Sequence, residues 1–146
     1  MKINNFMRNN NRNSWSRRLA FQAIYSWSIN YCSAENLISS FKLDNNYMKS
    51  NKFFFCNIVD SVISNILKID QSISSVSEIK IGNINQVELS IIRCCIYEFT
   101  KKKIPYQILI AEYVKIANKF GGKDSYKFVN AFLENFAKKN KIYEIK

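Results

Sequence analysis

The amino-acid sequence predicts an all-α fold, a compact helical bundle, from its turn residues and its apolar periodicity. Glycine occurs three times and proline once among 146 residues, whereas small sheet-rich domains turn often and use both residues to do so. Apolar residues recur at helical spacing in most segments between the few turns. Because 47% of the residues are hydrophobic, one domain of this length can fill a packed core.

The first half of the chain contains three predicted helices behind a polar segment. Residues 1–13 are polar, basic and rich in asparagine, which predicts a flexible N-terminal arm. Ser14 is a candidate N-cap for a helix whose apolar stripe includes Trp15, Leu19, Ala23 and Trp27. A short helix is predicted over 34–41, a loop over 42–51, and a helix over 52–69.

Three further helices are predicted in the second half, after a serine-rich and weakly helical connector at 71–85. Residues 86–100 are apolar on nearly all sides, which favours a helix at the centre of a bundle, with a buried strand as the alternative for part of it. Pro105 begins a helix that runs to Phe120 and ends at Gly121 and Gly122. Asp124 or Ser125 caps the last helix, and a basic tail follows at 138–146.

The net charge of +11, from 22 basic and 11 acidic residues, predicts a polyanionic partner such as nucleic acid or an anionic membrane surface. The alternative is compositional drift, because the chain is also rich in lysine, asparagine and isoleucine. No apolar run is long enough to span a bilayer, and the polar N-terminus does not resemble a signal peptide. We therefore expect a cytoplasmic protein without a membrane partner.

The residue types that commonly carry catalysis are scarce. The chain has no histidine, which removes the usual zinc sites and the commonest general base. Its four cysteines lie in apolar surroundings and are expected to be buried, reduced thiols. Glu88 and Glu98 are ten residues apart on one helix, which suits neither a metal nor an acid–base pair. We predict no enzyme, no metal site, no cofactor and no catalytic residue.

Several stretches of the sequence resemble the NusB family in content and in order. Residues 17–27, RRLAFQAIYSW, are similar to its first-helix signature, and residues 121–137, GGKDSYKFVNAFLENFA, are similar to its last-helix signature. Between them, residues 86–99 and 104–121 match as well, with Arg93, Tyr97 and Glu98 in the pattern and Pro105–Tyr106 following. The resemblance implies about seven helices in two small subdomains, with the family domain at 14–137.

The resemblance also implies a function. NusB-like proteins bind the single-stranded boxA element of nascent ribosomal RNA transcripts together with the ribosomal protein NusE. The complex joins RNA polymerase and other Nus factors and suppresses premature termination. The RNA contacts that it implies are Arg17, Gln22, Tyr25, Asp124, Lys127, Phe128 and Asn130. Charge adds Arg8, Arg12 and Arg18, and the central helix offers Glu88, Arg93 and Glu98 to NusE, where acidic groups suit a basic protein.

Alternatives remain open at this stage. Tyr25 and Phe128 also fit helical stripes that face a core, and Asp124 also fits a helix cap, whereas Arg17 and Arg18 are expected to project away from the apolar face. Relatives often carry a run of arginines before the first signature, where this chain has NNNRNSWSRR. Two other functions are an N-terminal module of a ribosomal RNA cytosine methyltransferase, if the chain is a fragment, and a helical protein-binding adaptor. The chain is expected to be a monomer or a weak homodimer.

Overall fold

The computed structural model describes residues 2–142, with side chains described from residue 10 onwards. This part of the chain is all-helical and has no strand, which confirms the predicted fold class. Its α-helices are α1 (Lys2–Asn30), α2 (Ala34–Phe41), α3 (Lys52–Ser64), α4 (Ile66–Val76), α5 (Gln86–Lys101), α6 (Tyr106–Phe120) and α7 (Ser125–Lys139). Two short 3₁₀ turns lie at Asn45–Lys49 and Ile81–Asn83. The chain divides into two compact units, Met1–Ser64 and Asn65–Lys146, in agreement with the two predicted subdomains.

The first unit is built on the pairing of α1 with α3, with α2 and the 3₁₀ turn packed beside them. The predicted stripe of α1 is buried at its centre, at Leu19 and Ala23, whereas Trp15 and Trp27 are half-buried. Phe55 of α3 is fully buried, and its ring lies 6.0 Å from that of Phe41 and 5.9 Å from that of Tyr47. The helical period of the sequence therefore identified the face of α1 that forms this core.

The first helix is longer than the sequence suggested. It begins at Lys2, so Ser14 lies inside the helix and its prediction as the N-cap is wrong. The first 81 residues contain neither glycine nor proline, and nothing in this segment therefore breaks a helix that continues in the N-terminal direction. That residues 1–13 form a flexible arm stays a prediction.

The predicted helix over 52–69 is interrupted. The backbone of Asn65 leaves the helical region, at φ −112° and ψ 20°, and separates α3 from α4. Asparagine has a low helix propensity because its amide competes for backbone groups, but the apolar period continues on both sides and hides the break. Beyond the break, α4 runs to Val76, through part of the predicted connector.

The second unit has α5 as its most buried element, with α4, α6 and α7 packed on it. All eleven residues from Leu89 to Phe99 are buried, which confirms the predicted central helix and excludes the strand alternative. The ring of Phe99 stacks on that of Phe136 at 6.1 Å. Since burial of a large apolar side chain contributes about 1.5–3 kcal/mol, this helix supplies much of the unit's hydrophobic stabilisation.

The junction of α6 and α7 depends on a close approach at Gly121. Pro105 takes the N-cap position of α6, and α6 ends at Gly121, as predicted. A Cβ atom at Gly121 would lie 2.5 Å from Cβ of Ser125 and 2.7 Å from the carbonyl oxygen of Ala117, whereas one at Gly122 would meet open space. Only Gly121 is therefore required to be glycine by packing.

All four thiols are free, but they differ in exposure. Cys94 and Cys95 are fully buried, as predicted, whereas Cys32 and Cys56 are only half-buried, so that the prediction is wrong for the latter pair. Burial raises the pKa of the Cys94 thiol far above its usual range, and the nearby carboxylate of Glu98 raises it further. Cys94 is thus a protonated core residue at neutral pH.

Two negative findings apply to the described residues. No group of three or more cysteine, aspartate or glutamate side chains in this part of the chain is placed to hold a metal ion. No described helix combines the length and the apolar character that crossing a membrane requires.

Candidate nucleic-acid interface

The helix α1 is the most one-sidedly charged element of the chain. It carries five basic residues, and the first acidic residue of the whole sequence is Glu35, beyond its C-terminal end. The uncompensated charge attracts a polyanion over distances comparable to the Debye length of about 10 Å. The helix therefore offers a positively charged element on which phosphates can bind.

The arginines of α1 that were predicted to contact RNA differ in exposure. Arg12 is exposed, and Arg18 is half-buried with its guanidinium 4.8 Å from the ring centroid of Trp15. Arg17 is only 4% exposed, and its guanidinium lies 5.2 Å from the ring centroid of Phe54. The expectation that Arg17 projects away from the apolar face is therefore wrong, because its long side chain extends over α3.

The remaining α1 candidates are partly accessible. The side-chain amide of Gln22 is half-buried and donates a hydrogen bond to the carbonyl of Arg18 at 3.2 Å. Tyr25 is half-buried, between the core and the surface positions that its pattern allowed. The side chain of Arg8 lies outside the described residues. Arg12, Arg18, Gln22 and Tyr25 all keep some surface that a ligand can reach.

A basic and aromatic cluster around Trp15 was not identified from the sequence. Lys49 lies at the end of the 3₁₀ turn. Its ammonium is 4.9 Å from the centroid of the Trp15 indole, the same ring that the guanidinium of Arg18 contacts. The turn is held beside α1 because the hydroxyl of Ser16 lies 2.7 Å from the carbonyl oxygen of Asn51, two residues beyond Lys49. We call Trp15, Arg18 and Lys49 the Trp15 cluster.

The start of α7, in the second unit, carries the other group of RNA candidates. Asp124 occupies the N-cap position of α7, as predicted, but it adopts a left-handed conformation at φ 67° and its side chain accepts no capping hydrogen bond. Its carboxylate instead pairs with Lys127 at 3.3 Å, on a part of the surface where both side chains are more than half exposed. Asn130 is exposed, and Phe128 is half-buried against Phe132 at 6.1 Å between ring centroids.

The other predicted cap residue, Ser125, has a partner in α5. Its side chain is buried, and its hydroxyl donates a hydrogen bond to the carboxylate of Glu88 at 2.8 Å. This contact joins α7 to α5 where α7 begins. Glu88, the first NusE candidate, therefore has an internal role but remains half-exposed.

The two other NusE candidates are buried inside the second unit. Arg93 is 8% exposed and forms a two-pronged ion pair with Asp70 of α4. Glu98 is 5% exposed and accepts a hydrogen bond from the hydroxyl of Tyr113 of α6. Since isolated buried charges are costly, these contacts explain both residues within the fold. Glu98, which was expected to be offered to NusE, is therefore buried inside the second unit and is not a solvated charge.

Two relatives of this chain indicate the class of protein to which it is similar. The chain is 32% identical over 123 residues to the transcription antitermination protein NusB of Hahella chejuensis, covering 84% of this chain and 83% of that protein. It is 33% identical over 120 residues to the protein of the same name from Coxiella burnetii (strain Dugway 5J108-111), covering 82% and 87%. The chain thus falls among the relatives of bacterial transcription antitermination proteins.

The family follows from a match along most of the chain. The NusB family model matches residues 14–138, and this chain belongs to the NusB family. The fold agrees with a solved structure of NusB from T. maritima, with a TM-score of 0.77 and 24% identity, over 91% of this chain and 92% of that one.

Proposed function

We propose that this protein is a transcription antitermination factor that binds the single-stranded boxA element of nascent ribosomal RNA transcripts together with the ribosomal protein NusE. It acts as part of a Nus complex on RNA polymerase, in the cytoplasm, and catalyses no reaction. The observation that carries the proposal is the family match over residues 14–138. The relatives named above are transcription antitermination proteins, and the match to this chain covers 83% and 87% of their length.

The charge and the exposed side chains of the chain support RNA as the ligand. Single-stranded RNA is held by cations on its phosphates and by aromatic or amide groups on its unstacked bases. In the first unit, Arg12 and Arg18 supply charge, and Gln22 and Tyr25 supply the groups suited to bases. In the second unit, Lys127 and Asn130 are exposed at the start of α7. Arg17 contributes mainly by packing on Phe54.

The burial of Arg93 and Glu98 reduces the number of residues on α5 that are proposed to contact NusE. Of the three candidates on α5, only Glu88 is half-exposed, and a direct contact with a basic ribosomal protein is therefore proposed for Glu88 alone. Arg93 and Glu98 instead join α5 to α4 and to α6, through their contacts with Asp70 and Tyr113.

Transcription in vitro tests this function. A template carries a ribosomal RNA leader with boxA before a terminator, and the reaction contains RNA polymerase, NusE and the other Nus factors but no other NusB protein. We expect added protein to increase readthrough on this template but not on one with a scrambled boxA. Readthrough that is independent of boxA, or absent, would contradict the proposal.

A further inference from the structure

The Trp15 cluster brings two cations from distant parts of the sequence to one ring. Arg18 lies 4.8 Å and Lys49 4.9 Å from the centroid of the indole of Trp15. One comes from α1 and the other from the end of the 3₁₀ turn, 31 positions further along the chain. Each contact is a cation–π interaction, in which the negative face of the ring attracts the cation.

Since each cation lies within 5 Å of the same ring centroid, the two are less than 10 Å apart, and like charges at this separation repel each other unless an anion lies nearby. Within the described residues, no carboxylate forms an ion pair with Arg18 or with Lys49. The contrast is Lys127, which is compensated by Asp124 at 3.3 Å. The cluster is therefore an arrangement that an added anion stabilises.

The backbone around the cluster is held in place. The hydroxyl of Ser16 lies 2.7 Å from the carbonyl oxygen of Asn51. The backbone N–H of Asn51 donates to the carbonyl of Arg12 at 3.3 Å, and the side-chain amide of Asn51 donates to that of Asn13 at 3.2 Å. These bonds fix the end of the 3₁₀ turn against α1, so the backbone at Lys49 is already in place when a ligand binds.

We propose that the Trp15 cluster is a phosphate-binding site for single-stranded RNA, in which Arg18 and Lys49 contact the backbone and Trp15 is the positioning residue that holds both cations. Because both charges lie within 5 Å of one ring centroid, they are less than 10 Å apart, and two adjacent phosphates of one strand can contact both. The site rests on the proposed function for the identity of its ligand. It adds Lys49 and Trp15, which no sequence pattern indicated, to the RNA-binding surface of the first unit.

The test measures fluorescence anisotropy of a labelled boxA oligoribonucleotide and of a scrambled one over a salt series. The variants are Arg18→Gln, Lys49→Gln and their combination, with Lys42→Gln as the control, since Lys42 is another exposed cation of the first unit. For single strands, each lost phosphate contact lowers the slope of log K against log salt by about 0.7. We expect the double variant to lose about 1.4 in slope and about tenfold or more in affinity, and the control to lose less than twofold.

Trp15 requires a separate readout because its replacement can also affect packing. Trp15→Leu keeps both charges, so we expect its salt slope to stay close to that of the wild type while its affinity falls several-fold. Trp15→Phe retains a ring and restores part of the affinity. Thermal unfolding of each variant, followed by circular dichroism, shows that the folded protein is being compared.

The outcomes separate this inference from the proposed function. Equal binding of boxA and scrambled RNA by the wild type would overturn boxA recognition, while the slope differences between variants would still test the cluster. A boxA preference with a double variant no weaker than Lys42→Gln would overturn the phosphate site alone.

Discussion

The carboxylate of Asp70 receives two parallel hydrogen bonds from the guanidinium of Arg93, Nε to Oδ1 and Nη2 to Oδ2, both at 2.9 Å. This fork joins α4 to α5 inside the second unit and has the geometry in which an arginine–carboxylate pair is strongest. The side chain of Arg93 is 10% exposed and that of Asp70 is 28% exposed. The pair is therefore an internal tie of the fold.

Asp70→Asn leaves the guanidinium of Arg93 without its countercharge in a largely dry position. We expect the free energy of unfolding to fall by about 2–4 kcal/mol, because breaking a buried pair strands the remaining charge. Urea denaturation measures this change. Lys115→Ala is the control, since the side chain of Lys115 is 74% exposed in its 3.7 Å ion pair with Glu112 and pairs of this kind at the surface contribute about 0–1 kcal/mol. Equal effects of the two variants would contradict an internal role for the Asp70–Arg93 pair.

Two tyrosines of the second unit differ in whether their hydroxyl has a partner. The hydroxyl of Tyr113 donates to Glu98, whereas the hydroxyl of Tyr97 is buried without a hydrogen-bond partner among the described residues. We expect Tyr113→Phe to reduce the free energy of unfolding by about 1–3 kcal/mol and Tyr97→Phe to leave it unchanged or raise it. Thermal melts of the two variants check this order, and a larger loss for Tyr97→Phe would reverse the interpretation.

The two adjacent glycines provide a matched pair for the junction of α6 and α7. Gly121→Ala places a methyl group within 2.5–2.7 Å of Ser125 and the carbonyl of Ala117, and overpacking of this kind costs about 1–3 kcal/mol. Gly122→Ala meets open space, so we expect little change or a small gain in stability. Chemical denaturation of both variants would contradict the packing argument if their unfolding midpoints coincided.

The buried thiol of Cys94 makes stability depend on alkaline pH. Its pKa is raised in the folded protein by burial, while a thiol in the unfolded chain ionises near pH 8.5. The stabilisation from this difference is complete below the unfolded pKa and is lost as pH rises above it, because only the unfolded state then releases the proton. We expect the free energy of unfolding to decline less steeply between pH 8 and 10 in Cys94→Ala than in the wild type. Parallel pH profiles would contradict this assignment.

Much of the fold followed from local pattern because helix ends and apolar stripes are local properties. The bounds of α2, the all-round burial of α5 and the end of α6 at Gly121 agree with the sequence-based expectations. The start of α1 and the break at Asn65 did not follow, because neither position has a glycine or a proline to mark it.

The candidate site was less predictable because its geometry depends on contacts between distant residues. The burial of Arg17 results from a ring on α3, and the approach of Lys49 to Trp15 spans 34 positions of sequence. Neither relationship has a periodic signature. The left-handed backbone of Asp124 could not be predicted either, because aspartate at the start of a helix usually has an extended backbone and caps the helix with its side chain.

The most direct test of the account is the affinity of the protein for boxA RNA, with and without NusE, against a scrambled RNA of equal length. Fluorescence anisotropy at several salt concentrations gives both the sequence preference and the electrostatic contribution. We predict a boxA preference that strengthens when NusE is added, with affinity that falls steeply as salt rises. Equal affinity for both RNAs that is insensitive to NusE would contradict the account and leave a basic helical protein without this function.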